Sequence, residues 1–258
     1  MKAALSAILL AAGYGTRLYP LTQDCPKALL PLGQGVVLDA VVDAVETVPG
    51  VSRIVLVTNH RFVGQFQAWQ AKRGKAIDLV DDGTSTPETR LGAIRDLLLG
   101  AARVGRTDDL LVLGTDNLFT WSLADFAAFA RTKRPATTIA LRQVASIEEA
   151  RRYGVVQVDP KGRVIRCTEK PAHPTSLTVA SCVYYFPPAI RGALEAFVQY
   201  KGKVDAPGYF LEWVVGQEPV YGMMTTGAWF DIGSPESYQD VVKRWSGLAS
   251  SVRPTSVD

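Results

Sequence analysis

The sequence predicts an α/β fold, a mostly parallel sheet with helices over both faces. Two patterns lead to it. Short, almost wholly apolar runs recur along the first half: Ala7 to Ala11, Arg53 to Thr58, Ile77 to Val80 and Asp109 to Gly114. A strand buried on both faces reads this way, whereas a strand with one wet face alternates. Segments of helical length separate the runs: Val36 to Val48, Phe62 to Lys72 and Leu91 to Val104. Strand and helix taking turns is the mark of parallel pairing through crossover helices.

Taken in order, the first run stops where Gly13 and Gly15 open a loop. The helix from Val36 closes near Pro49-Gly50. The strand from Ile77 runs into a turn, Asp81-Asp82-Gly83, and Leu97, Leu98 and Ala101 give the next helix its apolar face. The second half changes character. Thr137 to Val144 reads as a strand, and Gly154 to Val158 with Val164 to Thr168 flank a hairpin turn, Asp159-Pro160-Lys161-Gly162. Thr178 to Phe186 is a strand and Ile190 to Gln199 a helix. Val220 to Thr225 and Ala228 to Ile232 are expected to pair with each other. Ser234-Pro235-Glu236 starts the last helix, with a serine cap, proline at the first position and an acid in the first turn. No linker composition separates the halves. Residues 1–248 are therefore expected to form one domain with two lobes, 1–135 and 136–248, and 249–258 a polar, flexible tail.

Hydrophobic residues make up 47% of the 258 and charged residues 21%, an ordinary globular balance. A formal net charge of +3, with basic residues scattered, gives no handle for nucleic acid. Cys25, Cys167 and Cys182 are odd in number and lack CxxC spacing, which argues against a disulfide framework or a zinc site and fits a reducing compartment. Met1-Lys2-Ala3-Ala4-Leu5 leads straight into the first strand without a signal peptide. No apolar stretch nears the ~20 residues of a membrane-spanning helix. The expectation is a cytoplasmic protein with small-molecule partners, no nucleic acid and no membrane, and with a homo-oligomer left open.

Ligands of parallel sheets sit beyond the carboxyl ends of the strands, where Gly13–Arg17, Asp82–Gly83 and Asp116-Asn117 fall. Glycine lets backbone approach a ligand closely, and such a loop turns several N–H groups toward an anion. Arg17 inside the loop and Lys27 beyond a proline-bounded turn add two cations, and together these suggest a triphosphate site. Two common fingerprints are absent: Leu18 stands where a dinucleotide site has its third glycine, and no Gly-Lys-Ser/Thr follows. Asp116, directly after a buried strand, is placed either to reach a divalent metal on phosphates or to sit as a solvated turn acid. Asp231 stands among bulky apolar residues in Trp229-Phe230-Asp231-Ile232-Gly233. A buried acid there needs a metal, a cation or backbone donors. Glu169 and Lys170 end a strand, either as a plain surface pair or as an acid suited to sugar hydroxyls beside a cation suited to a phosphate. Tyr153-Gly154-Val155 permits close approach at its glycine. His60 and His173 have no metal-ligand or triad companion.

The run Leu10-Ala11-Ala12-Gly13-x-Gly15-Thr16-Arg17-Leu18-x-Pro20-Leu21-Thr22, then Pro26-Lys27-Ala28-Leu29-Leu30-Pro31, closely resembles the signature of the sugar-1-phosphate nucleotidyltransferases, the NDP-sugar pyrophosphorylases. The later motifs follow in that family's order from Ala7 to about Val242, closing with Trp-x-Asp-Ile-Gly-x-Pro-Glu-x-Tyr. The resemblance implies a three-layer α/β/α, Rossmann-like fold with a mixed, mostly parallel sheet, that of the nucleotide-diphospho-sugar transferases. It implies condensation of an NTP with a sugar 1-phosphate, giving NDP-sugar and pyrophosphate, with Mg2+ or Mn2+ as cofactor. Under it Arg17, Lys27 and Asp116 are catalytic. Leu10, Ala11, Ala12, Gly13, Tyr14, Gly15, Thr16, Asp82, Gly83, Gly92 and Asp116 meet the nucleotide. Asn117, Gly154, Glu169, Lys170, Val179 and Trp229 meet the sugar phosphate, and Asp116 and Asp231 hold the metal.

The chain also departs from that family. The base-reading segment, Asp82 to Ala93, is longer than the usual Gln-x-x-x-x-Gly form and lacks its Gln, so the base stays open. Glu212 resembles a family acid, but Val215 stands where an Asp often follows, and Ala180-Ser181-Cys182 replaces a more usual Ala/Asn-x-Gly. No left-handed β-helix segment is expected after the catalytic part. One alternative keeps the chemistry and changes the acceptor, to phosphocholine or another small phosphate with a cytidine nucleotide. Another is a non-catalytic relative that binds sugar nucleotide, against which stand the retained Arg17, Lys27, Asp116 and Asp231. A metal-dependent glycosyltransferase would want an Asp-x-Asp pair, and Thr115-Asp116-Asn117 offers one acid.

Overall fold

The computed structural model describes residues 4–201 and 206–252. Its centre is a mixed, mostly parallel nine-stranded sheet. β1 (Leu5–Leu10) lies in the middle. A short antiparallel pair, β2 (Pro31–Leu32) and β3 (Gly35–Val36), precedes α1 (Val37–Glu46), β4 (Val51–Thr58), α2 (Val63–Arg73) and β5 (Asp78–Asp81). Then come α3 (Ala93–Ala101) and β6 (Asp109–Gly114). β5, β4, β1 and β6 lie side by side and parallel, as the alternation predicts.

Burial explains why these strands read as apolar runs. Leu5, Ala7 and Leu9 pack into one cluster with Val41 and Phe66, while Ile8 packs into another with Ile94 and Leu97. Both faces are dry, and each buried aliphatic side chain is worth roughly 1.5–3 kcal/mol. Ser6 is the exception in β1. It is fully buried, and its hydroxyl donates to Asp108 at 2.8 Å.

The chain continues through β7 (Asn117–Phe119), α4 (Leu123–Lys133), β8 (Thr137–Gln143), α5 (Ile147–Ala150), β9 (Gly154–Val158), β10 (Val164–Glu169) and β11 (Thr178–Phe186). It ends with α6 (Ile190–Lys201), α7 (Pro207–Val215), β12 (Val220–Met224), β13 (Trp229–Asp231) and α8 (Pro235–Val252). β9 and β10 form the expected hairpin. β11 runs antiparallel to β6 and carries the sheet into the second half. Its register against β8 shifts between Ala180 and Tyr184. There its other neighbour changes from β9 to β6. Cys182 lies in that irregular stretch at φ 56, a left-handed conformation that residues with a Cβ seldom adopt.

One expectation is corrected. Val220–Thr225 and Ala228–Ile232 do not pair with each other. β12 joins the sheet parallel to β8, and β13 pairs with β7 in a separate ribbon that sets Asp231 opposite Asn117. Each goes where its apolar residues find cover. Val220 buries with Leu141, while Phe230 buries with Leu118 and Phe119. The sequence also left α4 and α7 unassigned; α4 begins at Ser122, whose hydroxyl accepts from Asp125 N at 3.1 Å. Among the described residues no helix is long and apolar enough to cross a membrane.

Candidate active site

The loop after β1 folds back on itself. Gly15 takes φ 62, and its carbonyl accepts the Thr22 hydroxyl at 2.7 Å. Leu18, 1% exposed, anchors the short turn from Thr16, while Gly13 and Arg17 remain exposed. Tyr14 behaves differently from its neighbours. Its ring is buried near Phe62, and its hydroxyl lies 3.0 Å from Thr84 Oγ1. A ligand in the loop therefore meets Tyr14 through its backbone, and the side chain braces the segment after β5.

Lys27 reaches across to the carboxyl end of β6, where Nζ lies 2.7 Å from Asp116 Oδ2. Asn117 Nδ2 donates to Asp116 Oδ1 at 2.8 Å, and Trp229 Nε1 donates to Asn117 Oδ1 at 3.0 Å. Asn117 is thus a buried bracket whose amide orients Asp116 and Trp229. Ile232 N donates to the Asp116 carbonyl at 2.9 Å, which ties the two aspartate segments together. Burial works to raise the Asp116 carboxyl, but the Lys27 ammonium and the Asn117 donor outweigh it and hold it below the ordinary value. Asp231 goes the other way. Burial, then the Asp116 charge, push its carboxyl up against the pull of Lys27, Arg152 and Arg17. The Tyr153 ring stands edge-on to Trp229 with centroids 5.0 Å apart. Burial and the Asp231 carboxylate push the Tyr153 hydroxyl upward.

Glu169 ends β10, and Lys170 follows it. The Glu169 side chain is 6% exposed, with Lys170 Nζ 3.7 Å from Oε1. Its backbone N donates to Glu212 Oε2 at 3.2 Å. Burial raises the Glu169 carboxyl, and Lys170 pulls it down. Gly154 and Val179, which the sequence placed at the sugar phosphate, are both buried. Tyr184 OH donates to Cys182 Sγ at 3.4 Å, and burial pushes that thiol up to about 12.

Two acids, Asp82 and Asp96, are shielded from water after β5. Asp82 Oδ1 accepts from Thr84 N at 2.7 Å, while its Oδ2 is buried without a partner. Gly83 at φ 76 makes the turn, and Gly92 at φ 92 begins α3. One turn further, Asp96 is 6% exposed with Oδ1 unpartnered, and burial followed by the Asp82 charge push it up to about 7.

The family model of nucleotidyl transferases matches residues 6–246. The chain belongs to that family. A glucose-1-phosphate thymidylyltransferase of Streptomyces antibioticus is 29% identical over 238 residues, covering 89% of this chain and 63% of that protein. A mannose-1-phosphate guanylyltransferase catalytic subunit beta of Drosophila pseudoobscura pseudoobscura is 27% identical over 238 residues, covering 90% and 60%. The chain thus spans somewhat under two thirds of these curated relatives. Among solved structures, a Bacillus anthracis protein assigned as a glucose-1-phosphate thymidylyltransferase, in complex with sucrose, superposes with TM-score 0.82 at 21% identity, covering 93% of this chain and 94% of that one. A UDP-glucose pyrophosphorylase complexed with UDP-glucose gives TM-score 0.79 at 20% identity, covering 95% and 99%. The shared fold is the α/β/α architecture that the sequence predicts.

Two carboxylates, Asp116 and Asp231, lie close enough to act on each other. Among the described residues no group of three or more His, Cys, Asp or Glu gathers around a metal-sized space. An oxygen pair of this kind suits Mg2+ or Mn2+, which bind through one or two carboxylates and complete their shell with phosphates and water. The upward push of Asp116 on Asp231 is what a cation between them would relieve. Sequence reasoning missed the side chain of Tyr153, the cation Arg152 and the acid Asp96. The first two directly precede Gly154, in the order Arg152-Tyr153-Gly154, and that glycine was the available signal. Asp96 carried none, since an acid on an amphipathic helix reads as its wet face.

Proposed function

We propose that this chain condenses an NTP with a sugar 1-phosphate, releasing pyrophosphate and giving an NDP-sugar, in the presence of Mg2+ or Mn2+. The observation that carries the reading is the meeting of Lys27, Asp116 and Asp231 at the carboxyl ends of β1 and β6, beside the Gly13–Arg17 loop. The relatives are named for two different bases and two different sugars. What the chain shares with them is best read as a reaction type.

A phosphate oxygen of the sugar phosphate attacks the α-phosphorus in line. It is already ionised at neutral pH, so the site needs no general base. Its task is to bring two polyanions together and hold them aligned. Residues 1–135 take the nucleotide, with backbone N–H groups of Gly13–Thr16 on the β- and γ-phosphates. Arg17 meets the departing pyrophosphate, and Lys27 meets the α-phosphate or the incoming one. Residues 136–248 take the sugar phosphate, with Lys170 on its phosphate, Glu169 on sugar hydroxyls and Trp229 as a wall. A metal held by Asp116 and Asp231 would neutralise charge developing on the α-phosphate. Asp82, Gly83 and Gly92 border the base.

Incubation with five NTPs against a panel of sugar 1-phosphates, with pyrophosphate release as readout, tests the reading. Turnover is expected for at least one pair. Tight binding of a sugar nucleotide without turnover of any pair would favour a non-catalytic relative instead.

A further inference from the structure

Gly208 stands where a helix gains nothing from glycine. It is the second residue of α7, after Pro207, and its φ is not left-handed. Alanine forms helix better than glycine at such a place. The reason for glycine must lie outside the helix, and what faces it is Glu169. A Cβ on Gly208 would run into Glu169 Oε2 and lie 2.5 Å from Cδ and 3.3 Å from Cγ. A Cβ on Gly154 would lie 3.0 Å from the same Oε2. The carboxylate therefore sits against two α-carbons that bear no side chain. One turn along α7, Glu212 Oε2 accepts the Glu169 backbone N–H at 3.2 Å. Residues four apart share a helix face, so Gly208 and Glu212 hold Glu169 from the same side of α7. Lys170 supplies the counter-charge at 3.7 Å.

We propose that Gly208 is a positioning residue for the sugar-phosphate subsite: lacking a side chain, it lets α7 seat the Glu169 carboxylate beside Lys170. The inference rests on Glu169 being the sugar ligand, as proposed above. The atoms that a Cβ would displace are the far end of a flexible side chain. A methyl at 208 therefore turns the carboxylate away and leaves the backbone in place. This separates the role from packing, where a misfit would strain the whole helix.

The test compares Gly208→Ala, Glu169→Ala, Glu169→Asp and the pairings of Gly208→Ala with each Glu169 variant, using a sugar 1-phosphate that turns over in the panel. Gly208→Ala is expected to raise KM for the sugar phosphate about tenfold and to leave KM for the NTP unchanged. Adding Glu169→Asp, one methylene shorter, is expected to recover part of the loss. Melting temperatures of Gly208→Ala, Glu169→Ala and their double variant are expected to be non-additive, because removing Glu169 removes the clash. Additive melting shifts overturn the seat, and they do so even if no substrate pair turns over. A normal sugar-phosphate KM in Gly208→Ala, alongside a raised one in Glu169→Ala, overturns the positioning role alone. A normal KM in Glu169→Ala overturns the sugar reading and the positioning role together.

Discussion

Lys27 Nζ lies 2.7 Å from Asp116 Oδ2, so the ammonium and the acid that follows β6 hold each other in place. Under the proposed reaction each would exchange this contact for a partner of opposite charge, Lys27 for a phosphate and Asp116 for a metal. The side chains are 14% and 35% exposed, so the pair is shielded on the lysine side and open on the aspartate side.

Lys27→Met keeps the length of the side chain and removes the charge. It is expected to lower kcat by roughly two to three powers of ten, the usual scale for losing one charged contact to a reacting phosphate. Stopped-flow or steady-state pyrophosphate release checks it. A kcat within about twofold of the parent would remove Lys27 from the reaction.

The local parts of this site were legible because glycine, proline and buried runs mark backbone constraints where they stand. Gly15 takes φ 62 in the loop that its spacing predicted, and β1 is dry on both faces as its composition required. What stayed hidden depends on partners far along the chain. The pairing of Asp231 with Asn117 arises because Phe230 finds cover on Leu118 and Phe119, and nothing near residue 230 announces it. Tyr14 looked like a ligand contact, yet its side chain turns inward to Thr84. Gly208 carried no signal at all, since its neighbour Glu169 lies far back along the chain.

Activity is expected to vanish with EDTA and to return with Mg2+ or Mn2+. Asp231→Asn should leave the fold intact and raise the metal concentration needed for half activity by on the order of tenfold, since one of two oxygen ligands weakens. Titration of activity against free metal checks this. Full turnover in metal-free buffer would refute the roles given to Asp116 and Asp231.

Asp96 should make stability depend on pH. Its carboxyl is pushed from 3.8 up to about 7 in the fold, by burial first and by the Asp82 charge second. The folded value lies above the unfolded one. Its contribution is thus fully present below about pH 4 and is lost as pH rises through about 7. The full difference corresponds to on the order of 4 kcal/mol. Half of it would move melting by roughly 4–8 °C in a chain of this size. Asp96→Asn is expected to melt higher than the parent at about pH 8 and to draw level near the acid end. An asparagine variant that melts lower at pH 8 would show that the charged form has a partner after all.

Arg17 separates catalysis from folding most cleanly. It is exposed, and no ion pair holds it among the described residues. Asp24, the acid that could have pinned it, sits 3.5 Å from Arg61 instead. The loop is held by Leu18, 1% exposed, and by the Thr22 hydroxyl on the Gly15 carbonyl at 2.7 Å. Removing the guanidinium should therefore cost little stability. Its proposed work lies in the transition state. Pyrophosphate gains charge as it departs, and a cation on it interacts more strongly there than in the ground state, which is what lowers a barrier. Arg17→Ala is expected to lower kcat by roughly two to four powers of ten, or ~3–5 kcal/mol, with the melting temperature almost unmoved. Arg17→Lys should recover only part, because a compact ammonium lacks the two-pronged grip of the guanidinium. Measuring kcat, NTP affinity and melting temperature on the same three proteins decides the matter. An alanine variant that melts early yet turns over normally when folded would make Arg17 a structural residue and leave pyrophosphate departure to the backbone of the loop.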